Sequence, residues 1–285
     1  MVKANNKYEQ KAIELLVKVV KNIDIDDILS IRYQSNGYTN HSYVITLKNK
    51  QRYVVRIGLI DQWLKRDNEA LVLELIKQIK DAFNVLYFDS QSGDMVRLYI
   101  SGITPGKKTV TNYDFLDALS NKLQKIHGIK YSNKDKILRN DFYIYKEFDH
   151  NIEKIYSSYF YECLSEFEKT IPLTFCHNDF SPWNMIYQKK TKQLTFIDFE
   201  WSRLNFPHFD LVNFIKEANI HNTEYETYLL KKYDPNIDHV TITKFLYISC
   251  YFSFVWSYSM YQYKYITSYR KRMLSMIKKL YKELH

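Results

Sequence analysis

The chain has 285 residues, of which 46% are hydrophobic and 26% charged, a balance that fits a soluble globular protein of one large domain or two lobes. Lysine and arginine outnumber aspartate and glutamate by 41 to 32; the resulting pI near 9.1 suits an anionic partner. The basic residues are scattered, with no zinc-finger spacing, glycine–arginine tract or aromatic RNA-binding signature, which argues against a nucleic-acid partner.

In chain order, the start "MVKANNKYEQKAIELLVKVV" carries charges among its apolar positions and no cleavage-site pattern. It reads as an amphipathic helix and not as a signal peptide. "ILSIRYQSNGYTNHSYVITLKNKQRYVVRIG" gives three short β runs, divided by Asn36-Gly37 and by "KNKQ". A helix follows over "NEALVLELIKQIK", with Leu71, Leu75 and Ile79 at four-residue spacing. "NVLYFD", the turn "SQSG" and "MVRLYI" complete a five-stranded, β-rich N-terminal lobe over 1–101. The Gly/Pro-containing connector "SGITPGKK" then opens a mainly helical lobe over 102–285. Its first long helix ends at Gly128. Further helix is expected from about 142 to 169 and from about 209 to the end, interrupted by a β island, "NMIY…QLTFIDF". The uncharged run "FLYISCYFSFVWSYSMYQY" is nearly long enough to span a bilayer. Its hydroxyl-rich composition suits a buried helix lining a cavity better than one facing lipid. Three cysteines, Cys163, Cys176 and Cys250, lack CxxC pairing, which points to reduced thiols and a cytoplasmic location.

The chemistry concentrates in "HNDFSPWN" (177–184) and "FIDFEWS" (196–202). Between them "MIY", "QKKTKQ" and "LTFID" form a β-hairpin, so that Asn184 and Asp198, fourteen residues apart, converge at its open end. An amide and a carboxylate suit Mg²⁺, a hard cation that also binds substrate phosphates. Asp179 beside them is placed to accept a proton from an attacking hydroxyl. A base, a metal bridge over phosphates and little covalent chemistry are what phosphoryl transfer requires. A lone HxD would be unremarkable in a loop; HxDxxxxN followed by IDF across a hairpin, after a β-rich lobe, is far more specific.

The pattern D-x-x-x-x-N followed by D-F-x resembles the catalytic loop and metal-binding turn of eukaryotic-type kinases. By that resemblance His177 supports the catalytic loop. Arg56 on the third strand takes the place of the phosphate-contacting lysine, and Glu69 orients it as an ion-pair partner. The turn "SNGYTNHSY" covers the nucleotide, with Gly37, Thr39 and Asn40 near it and Gly37 permitting close backbone approach. Backbone groups near Tyr99 and Ile100 hold adenine.

"HNDFSPWNMI", "FIDFEWS", "NFPHFDLVNFIKE", "NGYTNHSYVIT" and "YVVRIG…LKRDNEALVLELI" further resemble the choline/ethanolamine kinase family, particularly its bacterial choline-kinase branch. The resemblance runs from about residue 30 to about residue 260. It implies an α+β, two-lobed protein-kinase-like fold, ATP, Mg²⁺ and a small amino-alcohol substrate, choline first and ethanolamine next. Ser181 stands where a protein kinase keeps a lysine, Glu200 where it keeps a glycine, and a long activation segment is absent. All three argue against a protein substrate. Choline's permanent cation calls for aromatic faces and carboxylates. Glu200, Trp201 and Trp256 match family positions near the substrate, and Asp210 matches a structural aspartate holding the catalytic loop. The family's companion tryptophan is Ser253 here, a departure that suits ethanolamine or another amine, with Tyr258 or Phe252 as possible compensation. Related kinases for thiamine or an aminoglycoside, and a non-catalytic nucleotide- or polyanion-binding relative, are the alternatives.

Overall fold

The computed structural model describes residues 4–34, 39–59, 61–79, 84–132, 136–260 and 265–285. Asn6 is extended and accepts from the Tyr8 and Glu9 amides, a side-chain cap that starts α1 (Lys7–Val19). The buried side of α1, Ala12, Ile13 and Leu16, lies on a sheet face made by Tyr43, Ile45, Tyr53, Val55 and Ile57. Burial of Ile13 and Leu16 stabilises this docking by about 2 kcal/mol each.

That sheet is antiparallel, in the order β1-β2-β3-β5-β4, and comprises β1 (Ile28–Gln34), β2 (Asn40–Leu47), β3 (Arg52–Gly58), β4 (Val85–Phe88) and β5 (Met95–Leu98). α2 (Arg66–Leu75) lies between β3 and β4 in the chain. Side chains alternate across a sheet. With Val55 and Ile57 under α1, Val54 and Arg56 point the other way, and Arg97, paired with Val54, points with them. Met95, opposite Arg56, joins the core of the helical part.

The helical part comprises α3 (Lys107–Val110), α4 (Tyr113–His127), α5 (Lys154–Thr170), α6 (Pro207–Ala218), α7 (Glu224–Tyr233), α8 (His239–Ser259) and α9 (Ile266–Leu284). Asn112 caps α4, which ends at Gly128. From Phe245 onward α8 is buried on most sides, which explains the uncharged run without a bilayer. No helix among the described residues is long and apolar enough to cross a membrane. The β island is the antiparallel hairpin of β7 (Met185–Gln188) and β8 (Gln193–Phe196). A second pair, β6 (Thr174–Cys176) with β9 (Arg203–Asn205), brackets it.

Two local expectations are corrected, and one strand pair is added. The helix expected from 142 is a 3₁₀ segment at Lys146–Asn151, and α5 begins only at Lys154. In that segment Asp149 accepts from the Tyr161 and Tyr251 hydroxyls at 2.6 and 2.8 Å, so tertiary bonds fix it. The helix expected to reach Ile79 tightens to 3₁₀ at Ile76–Gln78, leaving Ile79 extended. The β6–β9 pair was missed because three-residue strands carry almost no periodicity.

The connector is tied to the hairpin. Ile103 and Tyr187 exchange backbone hydrogen bonds of 3.0 and 2.8 Å, and a Cβ at Gly102 would lie 2.5 Å from Ile186 Cγ2. Only glycine allows that approach.

Candidate active site

Asp179 lies in the loop after β6, and the loop's backbone is held from below. Asp210 on α6 is fully buried and accepts from the His177 and Asn178 amides, both at 2.7 Å. Its Oδ2 also lies 3.1 Å from His127 Nε2. His177 is buried, with Nε2 3.0 Å from the Ile197 carbonyl, which joins the loop to the strand end before Asp198. Asn178, in a left-handed conformation at φ +66°, was not singled out in the sequence. Its Nδ2 donates to the Trp201 carbonyl at 3.0 Å and its Oδ1 accepts from Asn205 at 2.7 Å. Asn213 on α6 donates to the Asn178 carbonyl at 3.3 Å. The only sequence signal was the residue type, since asparagine tolerates φ > 0.

The register Met185↔Phe196, with the Ile197 amide on the Asn184 carbonyl at 3.0 Å, places Asn184 and Asp198 at one end of the hairpin. Asn184 Nδ2 donates to Asp179 Oδ2 at 2.7 Å, so its Oδ1 is the atom left to meet a cation. Asp198 has φ +67°, and its side chain is 34% exposed. Burial, then repulsion from Glu200, pushes its pKa well above its ordinary value, against the pull of Arg56 3.5 Å away. A carboxylate so crowded by negative charge is a fitting ligand for a divalent cation. Burial likewise raises the Asp179 pKa; His177 and the Asn184 hydrogen bond oppose this, and Glu200 and Glu217 add to it. A raised pKa favours proton acceptance in the transition state.

Across the cleft, Arg56 pairs with Glu69 at 2.7 Å and its Nε donates to the Gly93 carbonyl at 3.1 Å. Arg66, which the sequence reading quoted without giving it a role, completes this cluster. It donates to Glu69 at 2.8 Å, to Glu200 at 2.9 Å and to Asn40 Oδ1 at 2.9 Å. Burial alone would lower its pKa; Glu200 and Glu69 outweigh that, and the net shift is upward. Gly93 has φ +76°, and a Cβ there would fall 2.4 Å from Arg66 Nε.

Glu200 was expected near the acceptor. It instead sits 5% exposed beneath the sheet and accepts from Thr39 at 2.6 Å, Asn40 at 2.8 Å and Arg66. Burial pushes its pKa up, but Arg56, Arg66 and the two hydrogen bonds outweigh that and leave it lowered. The Thr39 and Asn40 side chains, expected at the nucleotide, are therefore turned to Glu200. Asn68 on α2 adds a second tie between the lobes, donating to the Ser202 carbonyl at 2.8 Å and accepting from the Leu138 amide at 2.9 Å.

Gly37 lies outside the described residues. The Tyr99 amide donates to the Arg52 carbonyl at 3.0 Å and the Arg52 guanidinium stacks 3.8 Å from the Tyr99 ring centroid. Trp201 has Arg203 5.6 Å from its ring; Trp256 on α8 packs edge-on to Tyr269 at 6.0 Å.

These parts have counterparts in known proteins. Residues 31–284 match the family model for choline/ethanolamine kinase. A protein of Mycoplasma pneumoniae, the MG356 homolog, is 30% identical over 240 residues, 83% of this chain and 80% of its own. LicA of Haemophilus influenzae is 28% identical over 234 residues, 72% of this chain and 63% of its own. The choline kinase LicA of Streptococcus pneumoniae superposes with a TM-score of 0.78 at 21% identity, over 96% of this chain and all of that one. An aminoglycoside 2'-phosphotransferase-IIIa in its GDP complex reaches a TM-score of 0.70 at 13% identity, over 97% and 98% of the two chains. With nine-tenths of its length on one family model and the loop, hairpin and sheet in place, the chain belongs to the choline/ethanolamine kinase family, phosphotransferases with an alcohol as acceptor.

Proposed function

We propose that this protein transfers the γ-phosphoryl group of ATP to the hydroxyl of an amino alcohol of the choline–ethanolamine class, with Mg²⁺. The observation that carries this reading is the convergence of Asp179, Asn184 and Asp198 at one end of the β7–β8 hairpin, facing the Arg56–Glu69 pair. Asp179 orients the acceptor hydroxyl and takes its proton as the new P–O bond forms. Asn184 Oδ1 and the Asp198 carboxylate hold Mg²⁺. When bound, the metal supplies charge neutralisation for the phosphate oxygens. Arg56, fixed by Glu69 and the Gly93 carbonyl, steadies the phosphates as a preorganised cation. The nucleobase lies against Tyr99 and Ile100, and the division between the lobes falls at 101/102, just before Ile103 joins the hairpin. His177 and Asp210 set the position of the loop without touching the acceptor. Trp256 belongs to the acceptor wall, and Trp201 is a candidate for it. The protein works in the cytoplasm, where ATP and a small amine meet.

The test is ATP consumption by the purified protein with choline, ethanolamine, thiamine and aminoglycosides as acceptors. Saturable, Mg²⁺-dependent turnover on an amino alcohol is expected. Turnover confined to thiamine or an aminoglycoside overturns the acceptor, and nucleotide binding without any product supports a non-catalytic relative. Asp179→Ala is expected to abolish turnover and leave ATP binding largely intact; near-normal turnover removes Asp179 from its role.

A further inference from the structure

Asn178 stands immediately before Asp179 at φ +66°, in a region where glycine is at ease and most side chains are not. Among the described residues four asparagines have positive φ, Asn22, Asn178, Asn219 and Asn222. Of these, Asn178 is the one whose side-chain amide is bonded at both ends. At the other three the residue type answers to the turn. At 178 it answers also to what the amide holds, because glycine would meet the backbone requirement with less strain.

All four polar groups of Asn178 are engaged. Its N–H donates to Asp210 Oδ1 at 2.7 Å and its carbonyl accepts from Asn213 at 3.3 Å, so α6 grips the main chain through both groups. The side chain reaches a different element. Nδ2 donates to the Trp201 carbonyl at 3.0 Å and lies 3.5 Å from that of Arg203; Trp201 ends the short 3₁₀ turn that starts directly after Asp198. Oδ1 accepts from Asn205 Nδ2 at 2.7 Å, and Asn205 Oδ1 accepts in turn from the Phe206 amide at 2.8 Å, at the N-cap of α6. Asn205 is 1% exposed, which keeps water from competing for this relay. Asn184 already holds the Asp179 carboxylate from the hairpin side. Asn178 holds the backbone from which that carboxylate hangs.

Resting on the kinase reading above, we infer that Asn178 is a positioning residue whose side chain, through Asn205 and the Trp201 carbonyl, sets the spacing between Asp179 and the turn that carries Asp198. Its left-handed backbone brings Asp179 into the cleft, and its amide fixes how far from Asp198 the base stands.

The test compares the full-length protein with two variants. Asn178→Gly keeps the left-handed backbone and removes the amide; Asn205→Ala leaves the loop sequence intact and removes one end of the relay. kcat and KM are measured for ATP with ethanolamine and with choline, alongside Tm. Misplacing a reacting group by about 1 Å costs about a hundredfold. kcat is therefore expected to fall roughly ten- to hundredfold in Asn178→Gly and less in Asn205→Ala, with KM for ATP within about twofold of the parent value. The double variant should lose no more than Asn178→Gly alone, since both changes act on one brace. A lower Tm with kcat per folded molecule unchanged, or a loss confined to KM, overturns the inference and leaves the kinase reading intact; so do independent, multiplying losses in the double variant. If Asn178→Gly does not fold, the same split in Asn205→Ala decides. No product from the parent protein with either acceptor overturns both readings.

Discussion

Arg66→Gln tests whether the two lobes are joined by a buried ionic cluster. The substitution removes the shared partner of Glu69, 1% exposed, and Glu200, 5% exposed. Removing one member of a buried ion pair costs about 3–5 kcal/mol. Glu69 keeps Arg56, and Glu200 keeps Thr39 and Asn40, so the lower end of that range applies, about 3 kcal/mol. At ~2.1 cal/mol/K per residue, the unfolding entropy of 285 residues is about 0.6 kcal/mol/K. Tm should then fall by about 5 °C. The control is Lys77→Ala, which breaks a solvent-exposed pair with Glu74 and costs at most about 0.5 kcal/mol, under roughly 1 °C. Differential scanning calorimetry on the two variants reads both. Equal shifts for Arg66→Gln and Lys77→Ala would refute the claim that the cluster carries stability across the cleft.

Gly93→Ala should act on the same cluster by pushing on Arg66, lowering Tm by several degrees, with a much smaller loss in the Gly93→Ala/Arg66→Gln double variant; additive losses would show that the two sites are independent. Asp198→Asn removes a carboxylate crowded by Glu200, so it should raise Tm in the absence of metal while abolishing the Mg²⁺-dependent increase; a metal response like that of the parent protein would clear Asp198 as a ligand. Burial, with His127 nearby, lowers the His208 pKa to about 4. Below pH 6.5 the unfolded chain takes up a proton that the folded chain refuses until about pH 4. The protein therefore loses stability from pH 6.5 downward, about 2 kcal/mol by pH 5, as denaturant midpoints will show. His208→Phe, facing the Phe245 ring it stacks on, should remove that part of the loss. Burial raises the Cys163 thiol to about 11 and that of Cys250 to about 12, so a thiol reagent should label neither before unfolding.

Elements with strong periodicity or punctuation were legible: the helix docked on the sheet, the five strands, and the hairpin set by "QKKTKQ". Arg56 and Glu69 could be paired only through the resemblance to kinases, which puts Arg56 in the place of the phosphate-contacting lysine and Glu69 beside it; the pair forms at 2.7 Å. The rest depended on contacts across long sequence distances. Glu200 lies 134 residues from Arg66 and 161 from Thr39, and nothing local distinguishes a carboxylate that faces a substrate from one beneath a sheet. Lys216 and Glu217 are ordinary surface types in the sequence; burial came only when α8 and α9 closed over them. Asn178 was overlooked because its role lies in backbone geometry, and its neighbours His177 and Asp179 account for the motif without it.

Asn68 fastens α2 to the far side of the cleft through both ends of one amide, and Arg66 and Glu69 leave the same helix toward Glu200 and Arg56. Swinging α2 outward would part Arg66 from Glu200, Glu69 from Arg56 and Asn68 from two backbone groups at once. Control by displacing this helix would be thermodynamically steep, so the catalytic parts stand assembled whether or not a signal is present.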